Sequence, residues 1–527
     1  MNSFKNKRIL VVCKETYSYP LYFLVKKWIA NNDVAAFFFN PCETKYSKCL
    51  LNEITYYAYK NIDGLKIYTS DRIADEFTRI LDSGKISNQQ MLDLIEKDYT
   101  HFKNVNNQIM STQFLTRHYH FRNYMHKCNY NQQLNWLILN YQNIIQIIDE
   151  YNPDIVLDTD IAELARTILR EVCYKKGIPY INVEYPRYEF YMLYSYNLSL
   201  KYSDEFYETY HKYLYGNDEE VKEGYNYVEE FRNKSSIMHS MYKGDITSQY
   251  KPQSLFSSLR TVLKMAKYFW KQDMAGNNRS IKRANPVLYP SSIEFIKFFF
   301  NYEIKKQILL RHNKYFSIPV DVKYVYMPLH LIPESTTFSV SPMYVNELSI
   351  IEAVSKSLPA GWWLYVKEHQ AMVGERGLEF YKKVNRLPNV KMVQLNFYED
   401  PKPWILNSKG VVTISGTTAY EAALLGKQSI LFSDTPFSLV EGIHRLKSFE
   451  DLPDTLKLFK DSINNMKSCA AYIEAVKTLG YPVSMKLLMN MGDDILRGKK
   501  DIDQEYQTNL DNLERLFIDG YNHYKNK

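Results

Sequence analysis

The stretch VVTISGTTAYEAALLGKQSILF, residues 411–432, joins two apolar runs through Ser415, Gly416, Thr417 and Thr418. Small residues between a strand and a helix let a ligand approach main-chain N–H groups, and a helix mouth favours anions. The chemistry implied is phosphate binding, with the three hydroxyls as extra donors. Glu421 sits one turn further in, where it could accept hydrogen bonds from ribose hydroxyls, and Gly426 is expected to end the helix. Ser and Thr also open helices that bind nothing, so the motif gains weight only from its company.

That company comes from two other strand ends. YVKEHQ (365–370) carries Lys367 and His369, which alternation would place on one face towards the same phosphate. MPLHLIPESTT (327–337) ends a strand with His330 and Glu334 ahead of three hydroxyl residues. Ligands of parallel sheets bind outside the carboxyl ends of strands, so three polar strand ends on one sheet point to one site. Earlier in the chain Asp158, Asp160 and Glu163, with Glu15, Glu184 and Arg187 at other strand ends, are candidates for acceptor binding or base catalysis. Asp160 also reads as a helix cap. The DTD at 158–160 is read as a strand end rather than a metal motif, and no metal is expected. His118, His120 and His126 do not share a helical face and stay unassigned.

These residues need a scaffold of parallel sheets. KRILVVC (7–13), a helical segment from about 19 to 30, and DVAAFFFN make a βαβ opening. NPDIVLDTD, a helix closed by Gly177, and IPYINVEY repeat the pattern after a helical insertion at about 86–150. A second α/β unit begins near 322, with strands in VKYVYMPLH, WWLYVKEH, NVKMVQL, GVVTIS and QSILFS. The expected organisation is an N-terminal α/β domain (1–190) that binds the acceptor, a helical basic connection (191–320), a C-terminal α/β donor domain (321–490) and a helical tail (491–527). Two doubly wound, Rossmann-like domains facing a cleft suit the joining of two substrates.

Composition agrees with a globular chain: 45% hydrophobic, 24% charged, 18 Gly and 19 Pro in 527 residues. Six cysteines without a CxxC pair suggest neither a disulfide framework nor a zinc site, and a cytoplasmic, reducing home is expected. The N-terminal apolar run is too short for a signal peptide, and no stretch reaches the roughly 20 apolar residues that span a bilayer. Net charge is +7, yet residues 251–315 alone carry 13 Lys or Arg against three acidic residues. Mixed with aromatics, that region could meet an anionic membrane surface, making the protein peripheral at the inner face of the plasma membrane, or form a linker helix with a solvated lysine face. Nucleic acid is not an expected partner.

Together, PLHLIPESTT, VKEH and VVTISGTTAYEAALLGK resemble the capsule polysaccharide biosynthesis family of bacterial glycosyltransferases, related to capsular Kdo transferases and built on the two-domain GT-B fold. The similarity covers roughly 320–450. It implies transfer of a sugar from a nucleotide-activated donor, CMP- or UDP-linked, to a growing glycan or glycolipid acceptor, with no separate cofactor. His369 and the 415–418 loop would face the donor phosphate and Glu421 its ribose. The family usually has Pro after the His, where this chain has Gln370. Alternatives are a teichoic-acid-type polyol-phosphate transferase, a nucleotide-sugar 2-epimerase and a non-catalytic capsule-assembly scaffold.

Overall fold

The computed structural model describes residues 3–39, 53–100, 105–111, 128–198, 201–237, 254–275, 292–311, 315–332, 335–395 and 397–527. Among these residues thirteen strands follow one another: β1 Arg8–Cys13, β2 Asp33–Phe38, β3 Lys66–Thr69, β4 Ile155–Asp158, β5 Tyr180–Glu184, β6 Tyr191–Ser195, β7 Tyr324–Pro328, β8 Trp363–Lys367, β9 Val390–Met392, β10 Val411–Thr413, β11 Ser429–Leu431, β12 Ile443–Arg445 and β13 Tyr481–Pro482. They form a seven-stranded sheet, β13-β6-β5-β4-β1-β2-β3, and a six-stranded sheet, β12-β11-β10-β7-β8-β9.

The six-stranded sheet is parallel throughout. Read from its first strand, it runs three strands one way from β7 and three the other way from β10. That reversal opens a crevice between the carboxyl ends of β7 and β10. The first sheet reverses likewise between β1 and β4, and only β6 and its partner β13 interrupt its parallel run. Both sheets are thus doubly wound, as the sequence pattern led one to expect.

Near-continuous apolar strands are what a sheet covered on both faces requires. In β1 and β2, Ile9, Val11, Val34 and Ala36 pack to one side, and Leu10, Val12, Ala35 and Phe37 to the other. The second face is covered by the helices Tyr130–Tyr151 and Leu164–Lys176, the latter ended by Gly177 in the left-handed conformation at φ 67°.

The chain's last helices belong to the first sheet. After β13 has joined it, Met485–Leu496 and Gln504–Asn526 bury Leu488, Leu513 and Phe517 against Trp28 and β1. Glu514 accepts the indole N–H of Trp28 at 2.9 Å and pairs with Lys27 at 2.5 Å. The helices placed in a tail from 491 therefore complete the N-terminal unit, because their apolar face needs that sheet's uncovered side.

The expected connecting region divides too. Its start, β6, is a strand of the first sheet. The helices Asp204–Tyr215 and Lys222–Asn233 pack on Met466–Leu479, in one apolar cluster that joins Leu193 of the first sheet to Ala419 and Leu431 of the second. Of the helical insertion, 101–104 and 112–127, with His118, His120 and His126, lie outside the described residues.

Candidate functional site

At the second sheet's crevice, His330 leaves β7 and meets the loop after β10. Its ring is 8% exposed. The Ser415 N–H donates to His330 Nε2 at 3.3 Å, and Thr413 Oγ1 lies 3.1 Å from the same nitrogen. Nε2 is then an acceptor, so the ring proton sits on Nδ1 and faces Glu347 Oε1 at 3.3 Å. Glu347 also accepts the His330 main-chain N–H at 2.6 Å and pairs with Arg376 at 2.6 Å. Burial raises the Glu347 carboxyl, but Arg376 and the His330 donors outweigh it and hold the group below its ordinary range.

Both His330 nitrogens are thereby engaged. In this arrangement the ring, expected as catalytic, braces the loop after β10 against Glu347. Glu334, expected beside it, lies outside the described residues, as does Pro333.

The loop itself is held from three sides. Gly416 N–H donates to Thr413 Oγ1 at 3.2 Å, and Ser415 Oγ lies 3.1 Å from Thr337 Oγ1. A Cβ on Gly416 would lie 2.5 Å from Thr413 Oγ1 and 3.4 Å from His330 Nε2, so only glycine fits this approach. The amides of Thr417 and Thr418 have no partner among the described residues. The helix that follows, Thr418–Leu424, is seven residues long and ends as expected at Gly426, with φ 73°. So short a helix has little macrodipole, and what it offers is local donors.

His369 stands just outside β8. Its Nδ1 accepts from Ala371 N–H at 3.2 Å, leaving the proton on Nε2 as a donor. Burial first, then the neighbouring His330, lowers its pKa to about 4, so the ring is neutral at physiological pH. Lys367 does not join it. β8 ends at Lys367, pleat alternation stops there, and His369 caps a short 3-10 turn instead. The lysine lies on the opposite face, 5.7 Å over the Trp404 ring and 3.4 Å from the Tyr398 carbonyl. Burial lowers its pKa to about 8, partly offset by Asp400.

Glu421 is half-buried and accepts from Thr417 Oγ1 at 3.4 Å. Burial raises its pKa to about 7, against the pull of Thr417 and of Arg187. Arg187 comes from the first sheet, on the loop after β5, and the same guanidinium acts on Glu184 at the end of that strand. Burial pushes Glu184 up to about 8, with Arg170 and Arg187 opposing. One arginine therefore lies in the field of a carboxyl from each sheet.

The other first-sheet candidates are committed to structure. Asp158 is fully buried, accepts from Arg166 at 2.7 Å and from Tyr180 at 2.5 Å, and is raised by burial despite that arginine. Asp160 takes the other arm of Arg166 at 2.9 Å and accepts the Ile161 N–H at 2.8 Å. Asp158, closed off from solvent on Arg166, is corrected from the catalytic role expected of it, while Asp160 shares that guanidinium and keeps a fifth of its side chain exposed. Glu163 pairs with Lys14 at 2.5 Å.

Backbone strain marks the same rim. Glu15, Glu163, Arg187 and Glu189 follow β1, β4 and β5 with φ of 44°, 103°, 70° and 43°. Non-glycine residues persist there only where surroundings over-determine them, most often at ligand sites. Sequence reasoning reached Glu15, Glu163 and Arg187 by strand-end position but missed the Glu347–Arg376–Glu368 network. In that network Arg376 bridges Glu347 and Glu368, the latter at 2.9 Å, and Tyr381 donates to Glu368 at 2.7 Å. No motif announces a pairing between residues so far apart in sequence.

No protein-family description matches the chain, and no curated protein matches it. Solved structures that overlay on it include the UDP complex of Staphylococcus aureus MnaA, at 9% identity and a TM-score of 0.27 over 94% of this chain and 98% of that one. The Rickettsia bellii UDP-N-acetylglucosamine 2-epimerase overlays at 10% identity and 0.26 over 94% and 99%. The β-Kdo 2,7 transferase KpsC of Thermosulfurimonas dismutans does so at 8% and 0.29 over 68% and 90%. At such identities and TM-scores nothing about the chemistry of this chain follows from the overlays.

Proposed function

We propose that the protein is a glycosyltransferase that takes a sugar from a nucleotide-activated donor and passes it to a growing bacterial surface glycan. The observation that carries this reading is the loop after β10, where His330 holds the Ser415 amide and position 416 admits no Cβ, with Glu421 one turn in and, like Glu184 of the first sheet, in the field of Arg187. The donor's phosphates sit at the β7/β10 crevice, on the Thr417 and Thr418 amides and the His369 Nε2–H. These neutral donors strengthen as negative charge develops on the leaving phosphate. Glu421 faces the ribose. Glu184, which makes no ion pair among the described residues, takes the acceptor hydroxyl's proton when ionised.

The same pair of carboxyls, both raised towards neutrality, supports a second reading as a nucleotide-sugar 2-epimerase, which needs an acid and a base but no acceptor. Titration calorimetry with UDP- and CMP-sugars, followed by product analysis with and without an acceptor glycan, separates the two. Donor binding is expected to fall about 100-fold in Gly416→Ala, where the added methyl displaces the loop, and to fall also in Thr417→Val combined with Thr418→Val. Unchanged affinity in both variants for every nucleotide sugar would overturn the site. An epimer formed without acceptor would overturn the transferase in favour of the second reading.

A further inference from the structure

The helices Leu255–Ala275 and Ser292–Arg311 play no part in the chemistry above. They form a pair tied by a buried contact, Ser258 Oγ donating to Glu303 at 2.7 Å. The second helix is anchored on the six-stranded sheet's unit: Leu309 enters that core, and Lys305 donates to the Glu375 carbonyl at 3.2 Å.

Their outer side is apolar rather than solvated. Phe256, Leu259, Leu263 and Trp270 are 78%, 53%, 60% and 55% exposed. Steps of three, four and seven residues put them on one stripe of the helix. Phe300 and Ile304 continue an apolar stripe on the neighbouring helix, 50% and 43% exposed. Arg260, Lys264 and Lys267 are exposed: the first two follow a stripe leucine by one residue, which places them along its flank, and Lys267, four after Leu263 and three before Trp270, lies at the stripe's edge. Glu303 is turned inward. An apolar stripe of aromatics and leucines with a basic flank has the form of a helix lying in a membrane interface.

We propose that this face rests on an anionic lipid bilayer, apolar stripe downward and basic flank among the headgroups. Charge decides the occupant. Residues 251–315 carry 13 basic and three acidic residues, so a second copy docked here would set like charges together. The sequence on either side is no better matched: 238–253 has Lys243 and Lys251 against Asp245, and 276–291 has Arg279, Lys282 and Arg283 with no acidic residue. Among the described residues no helix is long and apolar enough to cross a membrane, so the contact proposed is peripheral.

Co-sedimentation of the full chain with vesicles tests this, comparing phosphatidylglycerol mixed into phosphatidylcholine with phosphatidylcholine alone. The chain is expected to sediment with the anionic vesicles, to shift Trp emission to shorter wavelength, and to release in about 1 M salt, where the screening length is roughly 3 Å. Lys264→Gln with Lys267→Gln is expected to weaken anionic binding by about 25-fold, about fivefold per lysine. Leu259→Glu with Leu263→Glu is expected to abolish it. All four side chains are exposed, so unfolding midpoints should not move. The proposal fails if the wild-type chain ignores anionic vesicles at low salt, or if the leucine variant still binds. It fails equally if light scattering shows a concentration-dependent dimer that this variant disperses, since a second copy then covers the face.

Discussion

The two sheets share a topology but dispose of charge at their crevices in opposite ways. Between β1 and β4, Asp158 and Asp160 both close on Arg166, whose side chain is fully buried, and Lys14 closes on Glu163. Between β7 and β10 the ion pairs stand one layer back, in Arg376 with Glu347 and Glu368, and the rim shows the neutral His369 ring and the loop amides. A crevice with its charges paired inside is a fixed wall. One whose charges orient neutral donors from behind is pre-organised to receive charge from a ligand.

The largest expected effect breaks the wall. Arg166→Met leaves Asp158 buried without its cation and should cost about 3–5 kcal/mol in denaturant unfolding, as single removal of a buried partner does. A loss under about 1 kcal/mol would mean that the crevice is wetter than the contacts imply.

A pH titration of stability sharpens the contrast, because one group from each side contributes with opposite sign. His369 has its pKa lowered to about 4, so the unfolded chain binds its proton more readily. Its share of stability is present above pH about 6.5 and is lost as pH falls towards 4. Glu184 is raised to about 8, so the native state holds the proton that the unfolded chain releases. Stability should therefore decline as pH rises from about 4.3 to 8. Melting curves of His369→Gln should lose the acidic arm and those of Glu184→Gln the part of the alkaline arm above about pH 7, the part below being shared with Glu421. Identical pH profiles in parent and variants would refute the assignment.

The smallest effect separates wall from catalyst. Asp160→Asn keeps a side chain that can cap Ile161 and leaves Asp158 on Arg166, so it should cost roughly 1 kcal/mol and spare turnover. Loss of turnover at unchanged stability would restore Asp160 as a reacting group.

Much of this arrangement could be read before folding was considered. The apolar strand runs, Gly177 and Gly426 announced both doubly wound units, because period and breakers act locally. The strand ends at His330, Glu184 and 415–418 were legible as positions. Their roles were not. His330 differs from a free base only through Glu347 and Ser415, and Lys367 parts from His369 only because β8 stops between them. Neither fact lies within reach of neighbouring residues.

By itself, then, the order of residues determined which segments become strands, where the turns between them must bend and which polar groups end at a strand's carboxyl side. Tertiary structure alone decided that 481–526 closes the first sheet, that Arg166 engages two aspartates, and that Arg187 lies in the field of a carboxyl from each sheet. Local propensity and period act over a few residues, whereas burial and charge pairing depend on whichever distant groups the packed chain brings within a few ångströms.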